Sequence, residues 1–229
     1  KKIISKFTSS VKSKQDERYA FSAKLITLVF GSIFYLAVPL NLNSEDLGYY
    51  FTFQSLLGLQ VIFEMGFSYV LLQNAAHETS NLILTSSGWK GESQHLARLK
   101  ALFNLVKKYY TIVCLLFLVF SSIGGYTFLS YFSDQTFNQN IGLIWLLMCI
   151  ITTLNLSFIP WISIVEGMNG IVPISVLKSQ QVVFGYSLAT ILLINGAGLY
   201  SILLIGLSSI IIFFYWRHKN SRYFRLHIN

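Results

Sequence analysis

The sequence predicts an all-α integral membrane protein with six transmembrane helices. Three observations lead there. Of the 229 residues, 54% are hydrophobic and 11% charged, whereas a soluble domain carries about 25% charged residues. Apolar runs of about 18 residues or more, enough to cross a bilayer at 1.5 Å per residue, recur along the whole chain. They do not alternate apolar with polar as barrel strands do. Lipid offers no partner for free backbone N–H and C=O groups, so helices are the remaining solution.

Residues 1–20 form a basic, polar segment. The apolar run from Phe21 to Leu40 is predicted as a retained first helix, because the NLNSEDLG that follows lacks a small-x-small cleavage pattern. A second helix begins near Gly48 and carries Gln54, Gln60 and Glu64 among apolar residues. At 100° per residue, Gln60, Glu64 and Ser68 fall on one stripe. An ionisable group at that depth costs about 2.5–3.5 kcal/mol, so the stripe is expected to face a bundle interior or a wet cavity.

A polar loop is expected over roughly 75–94. Residues 95–108 are amphipathic, with Leu99, Leu102, Phe103 and Val106 on one face and Arg98, Lys100, Lys107 and Lys108 largely off it. They read either as a helix lying on the membrane surface or as an inward extension of the third helix, 109–131. That helix contains Gly124-Gly125, which permit close packing or a bend. A fourth, 141–163, has Thr152, Thr153 and Asn155 at its middle and Pro160 near its end. A fifth, 171–194, places Pro173 in its first turn, where a missing N–H does least harm. A sixth spans 198–216, and 217–229 is a basic tail.

Charge placement sets the expected orientation. Six Lys/Arg precede the first helix, five lie between the second and third, and four follow the sixth, while the opposite loops hold only Glu45, Asp46 and Asp134. Lys/Arg favour the cytoplasmic side, so both termini are expected there. Tyr49, Tyr50, Tyr131, Trp145 and Tyr200 would mark the outer interface, and Tyr109, Tyr110, Trp161 and Trp216 the inner one. The net charge of +8 then answers to anionic lipid headgroups; no nucleic-acid motif accompanies it.

The candidate functional residues are polar groups at membrane depth. Glu64 either exchanges protons or a cation in a cavity, or hydrogen-bonds a neighbouring helix permanently. Lys24 and Lys178 either hold an anion or snorkel to headgroups on their long stems. Ser175, Gln181 and Gly185 share the helix face of Lys178. Asn155, with Thr152 one turn earlier, lines a polar path or ties helices together. Cys114 and Cys149 have no disulfide or metal spacing and read as apolar fillers. His77, His95, His218 and His227 are expected in solvated loops or the tail. No catalytic, phosphate-loop or metal motif appears, so neither an enzyme nor a cofactor is expected.

The second helix also carries a resemblance. The run Gly48-Tyr49-Tyr50-Phe51-Thr52-Phe53-Gln54-Ser55-Leu56-Leu57, then Gln60-Val61-Ile62-Phe63-Glu64-Met65-Gly66-Phe67-Ser68, then His77-Glu78, resembles the second helix of bacterial polysaccharide (O-antigen) repeat-unit flippases. These belong to the multidrug/oligosaccharidyl-lipid/polysaccharide exporter superfamily. Arg98-Leu99 leading toward Tyr109-Tyr110 is similar to a cytoplasmic segment of the same proteins. The resemblance covers the amino-terminal half of that family and implies one lobe of a two-lobe exporter in a bacterial inner membrane. It implies transport of an undecaprenyl-pyrophosphate-linked oligosaccharide in polysaccharide or lipopolysaccharide synthesis, with a second lobe or second chain as partner. On it, Lys24 and Lys178 attract the pyrophosphate, Gln60, Asn155 and Gln181 line the sugar path, and Glu64 couples an ion. Two alternatives stand beside it: a multidrug-type exporter lobe, and a non-transporting membrane partner of a polysaccharide assembly complex.

Overall fold

Lipid leaves the backbone only itself to bond with, and the apolar runs fold accordingly as helices. The computed structural model describes residues 2–132 and 139–226. Its helices are α1 (Lys2–Asn41), α2 (Ser44–Gly58), α3 (Gln60–Glu64), α4 (Phe67–Thr79), α5 (Ser93–Phe120), α6 (Tyr126–Phe132), α7 (Gln139–Gly167), α8 (Ile171–Ile194) and α9 (Tyr200–Lys219). Five helical stretches are long and apolar enough to span a membrane, and the bent stretch from α2 to α4 raises the number to as many as six. The all-α, multi-pass class therefore holds. Charged side chains before Glu17, together with Asp134 and His227, lie outside the described residues.

Helix α1 packs along α8, α8 along α9 and α9 along α7, while α7 carries α4 and α5 on its other flank. Phe34, Phe53, Phe117, Trp145 and Phe213 fill the centre. Glycines admit the closest approaches, as small residues do between membrane helices. A Cβ on Gly167 would come to 2.2 Å from the Leu72 carbonyl oxygen of α4, and one on Gly125 to 2.1 Å from the Trp145 ring.

Several expectations give way to the structure. The second helix is not continuous. Met65 and Gly66 both take left-handed backbone angles (φ 50° and 69°), and the two halves meet at a 44° bend. The loop expected over 75–94 is helical to Thr79 and then forms an antiparallel hairpin, β1 (Leu82–Leu84) and β2 (Trp89–Gly91). The chain after α9 forms a 3₁₀ turn and docks on this hairpin. Trp89 donates its backbone N–H to the Arg225 carbonyl (2.9 Å) and its indole N–H to that of Tyr223 (3.2 Å). Gly88, at φ 141°, is where this approach needs glycine, since a Cβ would meet the Arg225 carbonyl oxygen at 2.4 Å.

The amphipathic stretch 95–108 is part of continuous α5, which favours the inward extension over a separate surface helix. A five-residue π-turn, Ser121–Gly125, follows it. Helix α7 runs through Pro160 to Gly167 rather than ending near 163, and the first helix extends toward the N-terminus well before Phe21. Three residues expected at the outer interface, Tyr49, Tyr50 and Trp145, are buried instead. The Trp145 indole donates to the Ser121 carbonyl (3.2 Å).

Gly167→Ala places a methyl group against backbone rather than a flexible side-chain end. It should destabilise the bundle by about 1–3 kcal/mol, the usual range for overpacking. Thermal unfolding of the purified protein in detergent is the measurement, and an unchanged midpoint would contradict the α4–α7 packing.

Candidate functional site

Two cavities run down one side of the bundle. The first, about 500 Å³, lies near the basic end where α7 finishes and α8 begins. Its wall includes Lys24, Gly31, Ser32 and Tyr35 of α1, Glu166 of α7, and Ser175, Lys178 and Tyr186 of α8. The second, about 270 Å³, is lined by Tyr35, Gln54, Gln60, Thr152, Asn155 and Tyr186, among others. Tyr35 and Tyr186 border both. Along α1, Tyr35 stands about 16 Å beyond Lys24 at 1.5 Å per residue, so the two hollows follow one another into the membrane.

The fold explains how these side chains meet. Helices α1 and α8 lie side by side in parallel, which sets Lys24 level with Ser175 and Lys178, and Tyr35 near Tyr186. Phe34 and Tyr186 rings are 5.4 Å apart. Because α7 continues past Pro160, its last turn brings Glu166 to the same wall. Lys178 Nζ donates to Glu166 Oε2 at 3.2 Å, and the side chains are 50% and 32% exposed. Lys24 makes no ion pair among the described residues.

Sequence reasoning placed Glu64 as the acid at membrane depth and stopped the fourth helix three residues short of Glu166. The signal was available, since a proline inside a membrane helix does not have to end it.

The other expected site residues divide. Gln60 and Asn155 line the second cavity. Asn155 also ties α7 to α9, its Nδ2 donating to the Gly206 carbonyl at 3.2 Å, so it lines and fastens at once. Gln181 is not in either cavity wall. Its Nε2 donates to the Ser209 carbonyl at 3.0 Å and joins α8 to α9. Gly185 packs the same way, against Ser208.

Glu64 lies outside both cavity walls, as the last residue of α3 at the helix break. The Ser68 hydroxyl, across the break, donates to its carboxylate. The Tyr110 ring of α5 packs 6.2 Å from the Phe67 ring at the start of α4, and its buried hydroxyl has no hydrogen-bond partner among the described residues. Tyr110 was expected as an interface residue.

Cys114 and Cys149 are free and buried, as fillers are. His95 departs from the expected solvated loop. It sits in the first turn of α5, 14% exposed, with Nδ1 2.8 Å from Glu78 Oε2. Arg98 approaches the same carboxylate at 3.7 Å, so Glu78 fastens the end of α4 to the start of α5. Trp161, Phe224 and Arg217 form a second clasp at this end, the guanidinium 5.6 Å and 5.3 Å from the two ring centroids.

No family model matches the chain, and no curated protein or solved structure matches it either.

In a background with Cys114 and Cys149 replaced by alanine, cysteines at Gln60 and Lys178 should react with a water-soluble thiol reagent. They are expected to label about tenfold faster than one at Gln181, which lies in neither cavity wall, because reaction needs the thiolate to be reached from water. Equal rates at all three positions would contradict the cavity walls described above.

Proposed function

We propose that this chain is one lobe of a flippase that moves an undecaprenyl-pyrophosphate-linked oligosaccharide across a bacterial inner membrane. The observation that carries the reading is the order of groups along one flank: two lysines, then a pair of tyrosines, then amides and hydroxyls. A lipid-linked sugar has that order of chemistry, a dianionic pyrophosphate followed by hydroxyl-rich rings. Ammonium groups hold phosphate oxygens by charge-assisted bonds, which strengthen in a low-dielectric slot. Gln54, Gln60, Thr152 and Asn155 offer the donors and acceptors a glycan uses, and the prenyl tail stays in lipid.

In this reading both termini face the cytoplasm, and the lysine cavity opens on that side. A second six-helix body, in the same polypeptide or another, supplies the opposite wall, and rocking of the two exposes the sugar to the periplasm. Glu64 couples an ion at the helix break, where a change of charge acts on the angle between α3 and α4. The cavities themselves suit a multidrug-type exporter of organic cations less well, because Lys24 and Lys178 against Glu166 leave the first one net positive.

The test is genetic. The complete gene encoding this chain, expressed in a strain lacking its own flippase, should restore surface polysaccharide. The double change Lys24→Gln and Lys178→Gln should lower display about tenfold or more, since it removes both charge-assisted contacts. Undiminished display by the double variant, at equal protein levels, would remove the pyrophosphate role.

A further inference from the structure

The Lys178–Glu166 pair is built unlike a structural clasp. A buried ion pair must be satisfied from several sides, because an unsatisfied charge in low dielectric is costly, whereas a partly exposed pair is weak and easily exchanged. Here both side chains are partly open to the first cavity. Lys178 uses one of its three N–H donors on Glu166. The Glu166 carboxylate likewise has one hydrogen-bond partner among the described residues and further acceptor capacity facing the cavity.

Nor does Glu166 serve its own helix. It lies in the last turn of α7, which ends at Gly167 and carries no basic residue there. The carbonyl end of a helix is the negative pole and disfavours a carboxylate. The acid there does not stabilise its own helix, and the cavity supplies another reason for it. Without Glu166, two lysines would line the same slot with no counter-charge in its wall. With it, the empty slot carries a net charge of one, and Lys178 is held in place.

From this we infer that Glu166 is a displaceable counter-ion: it holds the phosphate position at Lys178 and yields it when a phosphate anion enters beside Lys24. The inference rests on the flippase reading for the identity of that anion, though its chemistry is shared by a bilayer phospholipid headgroup. A dianion between two lysines is neutral overall, and a carboxylate still at Lys178 would repel it. Entry of the ligand therefore frees the Glu166 carboxylate from Lys178, while the buried turn between α7 and α8 stays in place. Departure of the ligand lets Glu166 return, which opposes trapping of a tightly held product.

The experiment uses the full chain in nanodiscs of phosphatidylcholine, with farnesyl pyrophosphate as the probe and phosphatidylglycerol as the headgroup competitor. Wild-type protein should bind the probe, and Lys178→Gln should bind it about tenfold more weakly. Glu166→Gln should bind roughly three- to tenfold more tightly and release more slowly, the scale of one partly exposed charge contact. Glu166→Asp, which keeps the charge, should stay near wild type. Glu166→Gln binding equally or more weakly overturns the inference while leaving the flippase reading intact. Loss of folding in Glu166→Gln, seen as lost helical signal or aggregation, overturns it too, because a displaceable group is not required for the fold. If phosphatidylglycerol competes as well as the pyrophosphate and Glu166→Gln strengthens both, the counter-ion role stands and the flippase reading fails. Absence of binding by every form sinks both.

Discussion

A polar atom at membrane depth has no water to bond with, and the arrangement of this bundle follows from where each such atom finds its partner. Most hydroxyls turn back on their own helix. Thr27, Thr153, Ser179 and Thr190 each donate to the carbonyl four residues earlier. That removes the donor from the apolar surface without help from a neighbour. A smaller set reaches between helices: Asn155 to Gly206, Gln181 to Ser209, Trp145 to Ser121 and Trp216 to Pro173. Interhelical polar contacts in membranes average about 0.6 kcal/mol each, so they orient α7, α8 and α9 more than they hold them. Close glycine packing and the buried aromatic centre do the holding. Others line the cavities, Lys24, Lys178 and Glu166 the first and Gln54 and Gln60 the second.

The same constraint gives meaning to the break between α3 and α4. A non-glycine residue with positive φ is uncommon, and Met65 takes that conformation directly before Gly66, which adopts it freely. Broken backbone at membrane depth persists only where protein or water meets the freed groups. Glu64, Ser68 and Tyr110 are gathered there and nowhere near the lysines. The bundle thus has two separate polar centres: one at a bend in the backbone, the other on a wall between α1, α7 and α8.

Much of this was legible in the sequence because hydrophobic length is a strong signal. The first, fourth, fifth and sixth helices lie where their apolar runs do, and Pro173 sits in the first turn of α8 as its missing N–H suggests. Local exceptions were harder to read. Glu-Met-Gly at 64–66 looks like ordinary helix by periodicity, and only the backbone angles reveal the break. Pro160 suggested an end that the surrounding helices do not enforce, which hid Glu166 from view. The hairpin at 82–91 was read as loop because its strands are three residues each, too short for alternation to register. Its docking partner, Tyr223 to Leu226, is more than 130 residues away in sequence. For the lysines, sequence offered two partly independent guesses at Lys24 and Lys178; the parallel packing of α1 on α8 is what brings them to one wall.

The outward face of that wall completes the physical argument. Tyr35 is 54% exposed and Gln54 is exposed as well, on the same flank as a half-exposed Lys178. An amide, a phenol and an ammonium presented to acyl chains would each lack partners, and snorkelling can rescue only the lysine, which lies near the basic end. Exposed Leu36, Leu40, Val61 and Ile62 by contrast suit lipid directly. On the two-lobe proposal, a second protein body covers the polar flank and lipid surrounds the rest. On this view the cavities are halves of larger spaces, and the resident carboxylate at Lys178 keeps the charged half stable while no ligand occupies it.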